Sequence, residues 1–288
     1  MFERELIDVT ELDNDLALVA SRLRRSTVQV VPGNGRGSGL IASADGTIVT
    51  NAHVAHGRRA KIVLDDGRDL DGEVVARARE RDLAAIRVDA RDLPVAEFRD
   101  GRTLRTGELV LAVGNPLDLV GALTSGIIHT VDRAARRVVA DLTLLPGNSG
   151  GPLADVHGRV VGVNSMVVNG LAVAIGSSVV KRFIASPSER PYIGVVAQPV
   201  EVPVMGERRL GLLITEVADR SPADRAHLMP GRIVIGVGGE LLDSPDELAA
   251  AVEDCAVGSA LRLDVLDGER VGGIEVLVGD ASRTSKAA

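Results

Sequence analysis

At 288 residues and 45% hydrophobic content, the chain is long enough for one large or two ordinary domains with buried cores, which excludes disorder throughout. A net charge of -7 argues against nucleic acid as the main partner, because binding a phosphate backbone relies on a basic face. One cysteine, Cys255, excludes an internal disulfide framework and any multi-cysteine metal site, and an aromatic fraction of 1% leaves the cores to valine, leucine, isoleucine and alanine.

The first thirty residues are acidic where a secretory signal is basic, and charges interrupt their apolar positions. No uninterrupted apolar run of about 18 residues occurs, so no membrane span is expected. As written, the chain reads as cytoplasmic; removal of a leader would make it periplasmic or extracellular. Leu16, Val19, Ala20 and Leu23 recur at helical spacing behind Asp13, a capping residue, which predicts a short leading helix over 13–24 within an N-terminal segment 1–26. The run Arg22-Leu23-Arg24-Arg25 reads as its solvated end.

From Ser26 to about Ile184, short β-rich runs such as "STVQVV", "GSGLIA", "LAAIRV" and "ELVLAVG" alternate with glycine turns, and no long helical pattern intervenes. That spacing predicts antiparallel barrels or a sandwich and disfavours parallel α/β architecture. "ASPSERP", Ala185 to Pro191, is the linker, because each proline turns its predecessor away from helix. Beyond it, strands surround two helical patterns, "SPADRAHLM" and "SPDELAAAVEDC", each opened by a capping serine ahead of a proline suited to the first turn. Cys255 fits there as a small buried residue. This second unit reads as a compact α+β domain, and "ASRTSKAA" as a frayed tail.

The chemistry concentrates in "TLLPGNSGGPL". Ser149 stands between Gly147-Asn148 and Gly150-Gly151-Pro152, where glycine permits a tight turn in which the Gly147 and Ser149 amides converge on one point. A serine becomes a nucleophile when a base takes its proton, a carboxylate orients that base, and backbone donors stabilise the oxyanion. Among the five histidines, His53 ends an apolar strand and precedes a polar turn in "GTIVTNAHVAHG", where its ring can face a cleft. His56 and His157 read as turn residues and His129 as part of a surface strand. Asp82 precedes the apolar Leu-Ala-Ala-Ile, at the lip of a buried strand. Asp65, Asp66, Asp69 and Asp71 fall instead in the hairpin turn and exposed strand of "LDDGRDLDG".

Five blocks in order, "TNAHV" around His53, "RDLAAI" around Asp82, "AVGNPLDL" at 112–119, "TSGII" at 124–128 and "PGNSGGPL" around Ser149, resemble the HtrA (DegP/DegS-like) family of trypsin-like serine proteases over nearly all of 27–186. The resemblance implies a mainly β fold: a chymotrypsin-like double antiparallel β-barrel over 27–186 with the catalytic cleft between the barrels, a linker at 187–190, an α+β PDZ domain over 191–280, and a flexible tail over 281–288. It implies His53 as general base and then general acid, Asp82 as its orienting carboxylate and Ser149 as nucleophile. The amides of Gly147 and Ser149, with Asn148 between them, would form the oxyanion hole. No cofactor or metal is called for.

The strand "VNSMVVNGLAVA" falls where this fold builds the wall of its primary specificity pocket, and its small aliphatic side chains predict cleavage after small or medium apolar residues. "YIGV" at 192–195 resembles the carboxylate-binding loop of HtrA-type PDZ domains. Amides of Ile193, Gly194 and Val195 would hold a terminal carboxylate, Leu248 and Val252 would line the pocket, and the peptide would add as a strand. The expected function is a serine endopeptidase acting on unfolded or exposed polypeptide, with the second domain recruiting or sensing C-terminal peptides. The alternative is a catalytically silent peptide-binding chaperone or scaffold, because oxyanion loops of such sites switch between ordered and disordered states. An α/β-hydrolase esterase is disfavoured: the base precedes the serine in the chain, and the helices are missing. The chain departs from the family pattern at His227 and Arg232, where Gly and Asp are common, and in "LAVAIGSS", which lacks a usual phenylalanine. Aromatic contacts that build trimers in the family reduce here to Phe2, so a homotrimer has little to rest on.

Overall fold

The computed structural model describes residues 9–33, 35–116, 119–132, 136–187, 189–204, 206–268 and 270–281, with side chains described from residue 14 on, Arg102 excepted. Phe2 and the tail beyond Ala281 lie outside the described residues. The chain divides into two compact units, one ending at Pro187 and the other starting at Ser188, within the proline-bearing segment 185–191.

The leading helix α1 (Val9–Ser26) starts earlier and ends later than its apolar spacing predicts. Its end is set by two hydroxyls: Ser26 Oγ and Thr27 Oγ1 both donate to Leu23 O, at 3.2 and 2.7 Å, occupying a carbonyl that the helix can no longer satisfy. Val19 and Leu23 bury against Leu111, Val113 and Ala154. Arg24 is tied down, not simply solvated, because its long stem carries Nε to 2.7 Å from Gly121 O.

Six strands then close the first barrel: β1 (Thr27–Val31), β2 (Gly37–Ser43), β3 (Thr47–Thr50), β4 (Arg59–Val63), β5 (Asp69–Ala78) and β6 (Leu83–Val88), in the order β1-β2-β3-β6-β5-β4. Six more close the second: β7 (Leu109–Gly114), β8 (Ala122–Asp132), β9 (Arg137–Asp141), β10 (Pro152–Asp155), β11 (Val160–Val168) and β12 (Leu171–Gly176), in the order β10-β11-β12-β9-β8-β7. All their pairings are antiparallel, as in the chymotrypsin-like fold. Closure removes sheet edges, and alternation sends successive side chains to opposite faces. On β2, Ile41 points into the first core beside Val28, Ile48, Ile62 and Ile86. Its neighbour Leu40 points the other way, into a layer shared with Val160, Val163 and Ile175 of the second barrel. Strands buried on both faces read as continuous apolar runs, which is why Leu83-Ala84-Ala85-Ile86 of β6 carries no polar residue before the exposed Arg87. Helix α2 (Ser177–Ala185) covers that shared layer with Val179, Val180 and the fully buried Phe183.

The second unit contains β13 (Pro191–Tyr192), β14 (Val195–Val204), β15 (Glu207–Val217), α3 (Pro222–Arg225), β16 (Ile233–Val237), β17 (Glu240–Leu241), α4 (Glu247–Asp254), β18 (Ala260–Asp267), β19 (Arg270–Leu277) and β20 (Gly279–Asp280). Its main sheet runs β14-β15-β16-β18-β19, with β17 on β16 and a separate β13-β20 pair. Ile193, Ile214, Leu248, Val252 and Leu263 share its core. The first Ser-Pro signal caps as expected, Ser221 Oγ accepting from Asp224 N at 3.1 Å, but α3 is one turn long because His227 turns left-handed at φ 56°. The second differs. Helix α4 starts at Glu247 with Asp246 before it; Ser244 contributes its carbonyl, which accepts from Glu247 N at 3.3 Å, and Glu247 Oε2 accepts from Asp243 N at 2.9 Å.

Candidate active site

His53 follows β3, Asp82 precedes β6, and Ser149 precedes β10. The apolar strands behind these loops are rigid, so polar residues at their ends are held at fixed points. Asp82 closes a tight turn in which its own amide donates to Arg79 O at 3.1 Å, with φ 51°, a left-handed conformation that a short Asp side chain tolerates. Asn51 Nδ2 donates to Asp82 O at 3.0 Å, tying this turn to the segment that carries His53.

The His53 ring meets the Asp82 carboxylate edge-on: Nδ1 lies 2.9 Å from both Oδ1 and Oδ2, while the His53 amide donates to Oδ1 at 3.1 Å. Ser165 Oγ donates to Asp82 Oδ2 at 2.6 Å. Burial pushes the Asp82 carboxyl up, but hydrogen bonds from the His53 ring, the Ser165 hydroxyl and the His53 amide outweigh it and hold the group below the ordinary value of 3.8. An ionised carboxylate only accepts, so the proton between the pair belongs to Nδ1, and Nε2 of the neutral ring is left as the acceptor. Behind the ring, Ala55 N donates to Asn51 O at 3.1 Å. The Arg77 guanidinium bridges Ala55 O and Gly57 O, the latter at 2.6 Å, which pins the loop after His53.

The turn around Ser149 is built from its own backbone. Asn148 N donates to Leu145 O at 3.0 Å, Gly151 N to Asn148 O at 3.0 Å, and Gly150 N to Asn164 O at 2.8 Å. Gly147 sits at φ 106°, and a Cβ there would come within 2.6 Å of Asn115 O, so glycine is required on both conformational and steric grounds. Ser149 Oγ donates to Ser165 O at 3.1 Å. Ser165 thus touches both Asp82 and Ser149. It can do so because β11 is irregular at this residue: Asn164 pairs with Ala174 and Met166 with Val173, leaving Ser165 out of register.

Of the residues singled out from the sequence, His53 and Asp82 are in direct contact, and Ser149 is linked to them through Ser165. His56, His129 and His157 are exposed, and Asp66 and Asp69 pair with Arg68 and Lys61 on the surface. Ile193 is buried, Gly194 takes φ 82°, and Val195 opens β14, which pairs with β15 on one side among the described residues. Leu248 and Val252 face the same core from α4. No local sequence pattern singles out Asn51 or Arg77. The polar pair Asn164-Ser165 inside an otherwise apolar strand was the one signal available for Ser165. None of the described helices is long and apolar enough to cross a membrane.

Residues 37–163 match the trypsin-like peptidase domain. The putative serine protease HhoA of Synechocystis sp. (strain ATCC 27184 / PCC 6803 / Kazusa) is 32% identical over 269 residues, covering 82% of this chain and 68% of that protein. HhoB of the same organism, also a putative serine protease, is 34% identical over 267 residues, or 82% of this chain and 64% of that protein. A probable periplasmic serine endoprotease DegP-like of Halomonas elongata (strain ATCC 33173 / DSM 2581 / NBRC 15536 / NCIMB 2198 / 1H9) is 35% identical over 275 residues, 88% of this chain and 58% of that protein. The chain therefore spans between half and about two thirds of the length of these curated relatives. Among solved structures, the HtrA-type protease AlgW with a tripeptide superposes with a TM-score of 0.74 at 26% identity, covering 92% of this chain and 96% of that one. The serine endoprotease from Yersinia pestis gives 0.70 at 26%, covering 92% and 97%. With the double barrel in place and such identity extending through both units, this chain belongs to the HtrA family of trypsin-like serine proteases.

Proposed function

We propose that the chain is a serine endopeptidase that hydrolyses peptide bonds in unfolded or exposed polypeptide, with Ser149 as nucleophile, His53 as general base and then general acid, and Asp82 as the carboxylate that orients the ring. The observation that carries this reading is the hydrogen-bonded path His53–Asp82–Ser165–Ser149. In the attacking state the Ser149 hydroxyl leaves Ser165 O and turns toward His53 Nε2, which takes its proton as Oγ bonds to the carbonyl carbon. Ser165 O, out of register in β11, then suits an extended substrate backbone, which pairs as an added strand and donates to it. The Gly147 and Ser149 amides receive the negative oxygen, protonated His53 gives its proton to the leaving amine as the C–N bond breaks, and a water deprotonated by His53 then cleaves the acyl-serine and restores Ser149. Small aliphatic side chains on β11 and β12 support cleavage after small or medium apolar residues.

The second unit is read as a PDZ domain in which the amides of Ile193, Gly194 and Val195 bind a C-terminal carboxylate, the peptide lies along β14, and Leu248 and Val252 contact its last side chain. The decisive experiment is Ser149→Ala incubated with casein: cleavage should vanish, and undiminished cleavage overturns the reading. A second reading, a catalytically silent scaffold, is favoured by the Ser149 hydroxyl donating to Ser165 O. Fluorophosphonate labelling separates the two, since a scaffold leaves Ser149 unmodified while still binding peptide.

A further inference from the structure

We infer that Ser38 is a positioning residue for the nucleophile loop: from β2 of the first barrel it holds the carbonyls of both Gly147 and Ser149, and so keeps the amides of that loop directed at the reacting oxygen. The inference rests on the endopeptidase reading above. Ser38 is fully buried. Its hydroxyl donates to Gly147 O at 2.7 Å and accepts from Asn115 N at 2.9 Å, with Asn115 Nδ2 at 3.4 Å. A hydroxyl has one proton to give, so the two Asn115 donors direct that proton at Gly147. Asn115 is itself anchored, its Nδ2 donating to Val28 O at 3.1 Å and its Oδ1 accepting from Gly121 N at 3.0 Å. The Ser38 amide, which a regular strand would spend on a neighbouring strand, donates to Ser149 O at 2.8 Å. Ser38 O accepts from Thr50 Oγ1 at 2.6 Å.

Two peptide planes are locked as a result. The Gly147–Asn148 plane has its carbonyl on Ser38 and its amide on Leu145 O. The Ser149–Gly150 plane has its carbonyl on Ser38 and its amide on Asn164 O. Without the hydroxyl, Gly147 O is a carbonyl without its partner next to a glycine, the residue least able to resist rotation of the adjoining plane. Rotation there misdirects an oxyanion donor, a loss felt in the transition state and not in substrate binding.

The test uses Ser38→Ala and Ser38→Cys in the full chain. Alanine underfills the site and the larger thiol slightly overfills it while donating poorly, so a loss common to both tracks the hydrogen bond and not the packing. Both variants should lose about 10- to 100-fold in kcat on a fluorogenic peptide while KM stays within about threefold, and fluorophosphonate labelling of Ser149 should slow in parallel. Both variants should remain folded, as checked by circular dichroism at the assay temperature. Unchanged kcat in a folded variant overturns the proposal, as does a loss matched by the unfolded fraction. Cleavage that persists in Ser149→Ala, or a parent protein silent to peptide and probe alike, overturns the endopeptidase reading itself. Normal kcat in both Ser38 variants beside an active parent overturns the Ser38 role alone.

Discussion

Asp82 shows how one side chain serves two neighbours. It accepts from the His53 ring and amide and from Ser165 Oγ, and its depressed pKa keeps it ionised throughout the neutral range. Asp82→Asn keeps the shape but offers a donor where Nδ1–H needs an acceptor, which favours the wrong imidazole tautomer. On the endopeptidase reading, kcat should fall by about ten-thousandfold with KM little changed, measured on a peptide substrate. Ser165→Ala removes one charge-assisted hydrogen bond, roughly 1.5 kcal/mol, and should lower kcat about tenfold; an unchanged rate would remove Ser165 from the site. His53, Asp82 and Ser149 each stand beside a local pattern that the sequence shows, a strand end, a buried-strand lip and a glycine turn, and on the endopeptidase reading these are the residues that react. Ser165 and Ser38 carry no such pattern, because each is one small polar residue in a β-run and its hydrogen bonds go to a loop from another strand that faces it.

At the scale of elements, the strands followed from apolar runs and glycine turns, and the helices were the less legible part. Propensity extended α3 beyond its single turn, whereas backbone conformation at His227 stops it. Phe183 on α2 closes the layer between the barrels. Phe183→Ala should therefore destabilise the first unit by about 3–5 kcal/mol, seen as a lowered denaturant midpoint by circular dichroism. At the end of β10, Asp155 accepts from Arg159 Nε and Nη2, from the amides of His157 and Arg159, and from Arg99 of the segment joining the barrels. Burial raises its pKa, yet the Arg159 bonds and the two amides prevail, and the carboxyl titrates below 3.8. A group whose folded pKa is depressed stabilises above its ordinary value and loses that contribution as pH falls through the folded one. Asp155→Asn should accordingly cost about 3 kcal/mol at neutral pH and flatten the stability loss below pH 3.8, followed by urea unfolding across the acid range.

At the scale of the whole molecule, the chain is two units with separate cores, divided at residues 187 and 188. If the two proposed activities belong to separate units, a chain ending at Pro187 should still label at Ser149 with fluorophosphonate and should lose anisotropy-detected binding of peptides with a free C-terminal carboxylate. Amidating such a peptide should abolish its binding to the full chain; equal affinity for both forms would sink the carboxylate-loop assignment. By itself the sequence determined the family, through the motif blocks around His53, Asp82 and Ser149, and the antiparallel class, because apolar runs and turn glycines act over a few residues. The register irregularity at Ser165 and the hydrogen bonds from Ser38 to the Ser149 loop were decided by tertiary structure alone. They depend on which backbone groups of distant strands are left unpaired when two barrels close and meet, and that is a property of three-dimensional hydrogen-bond satisfaction.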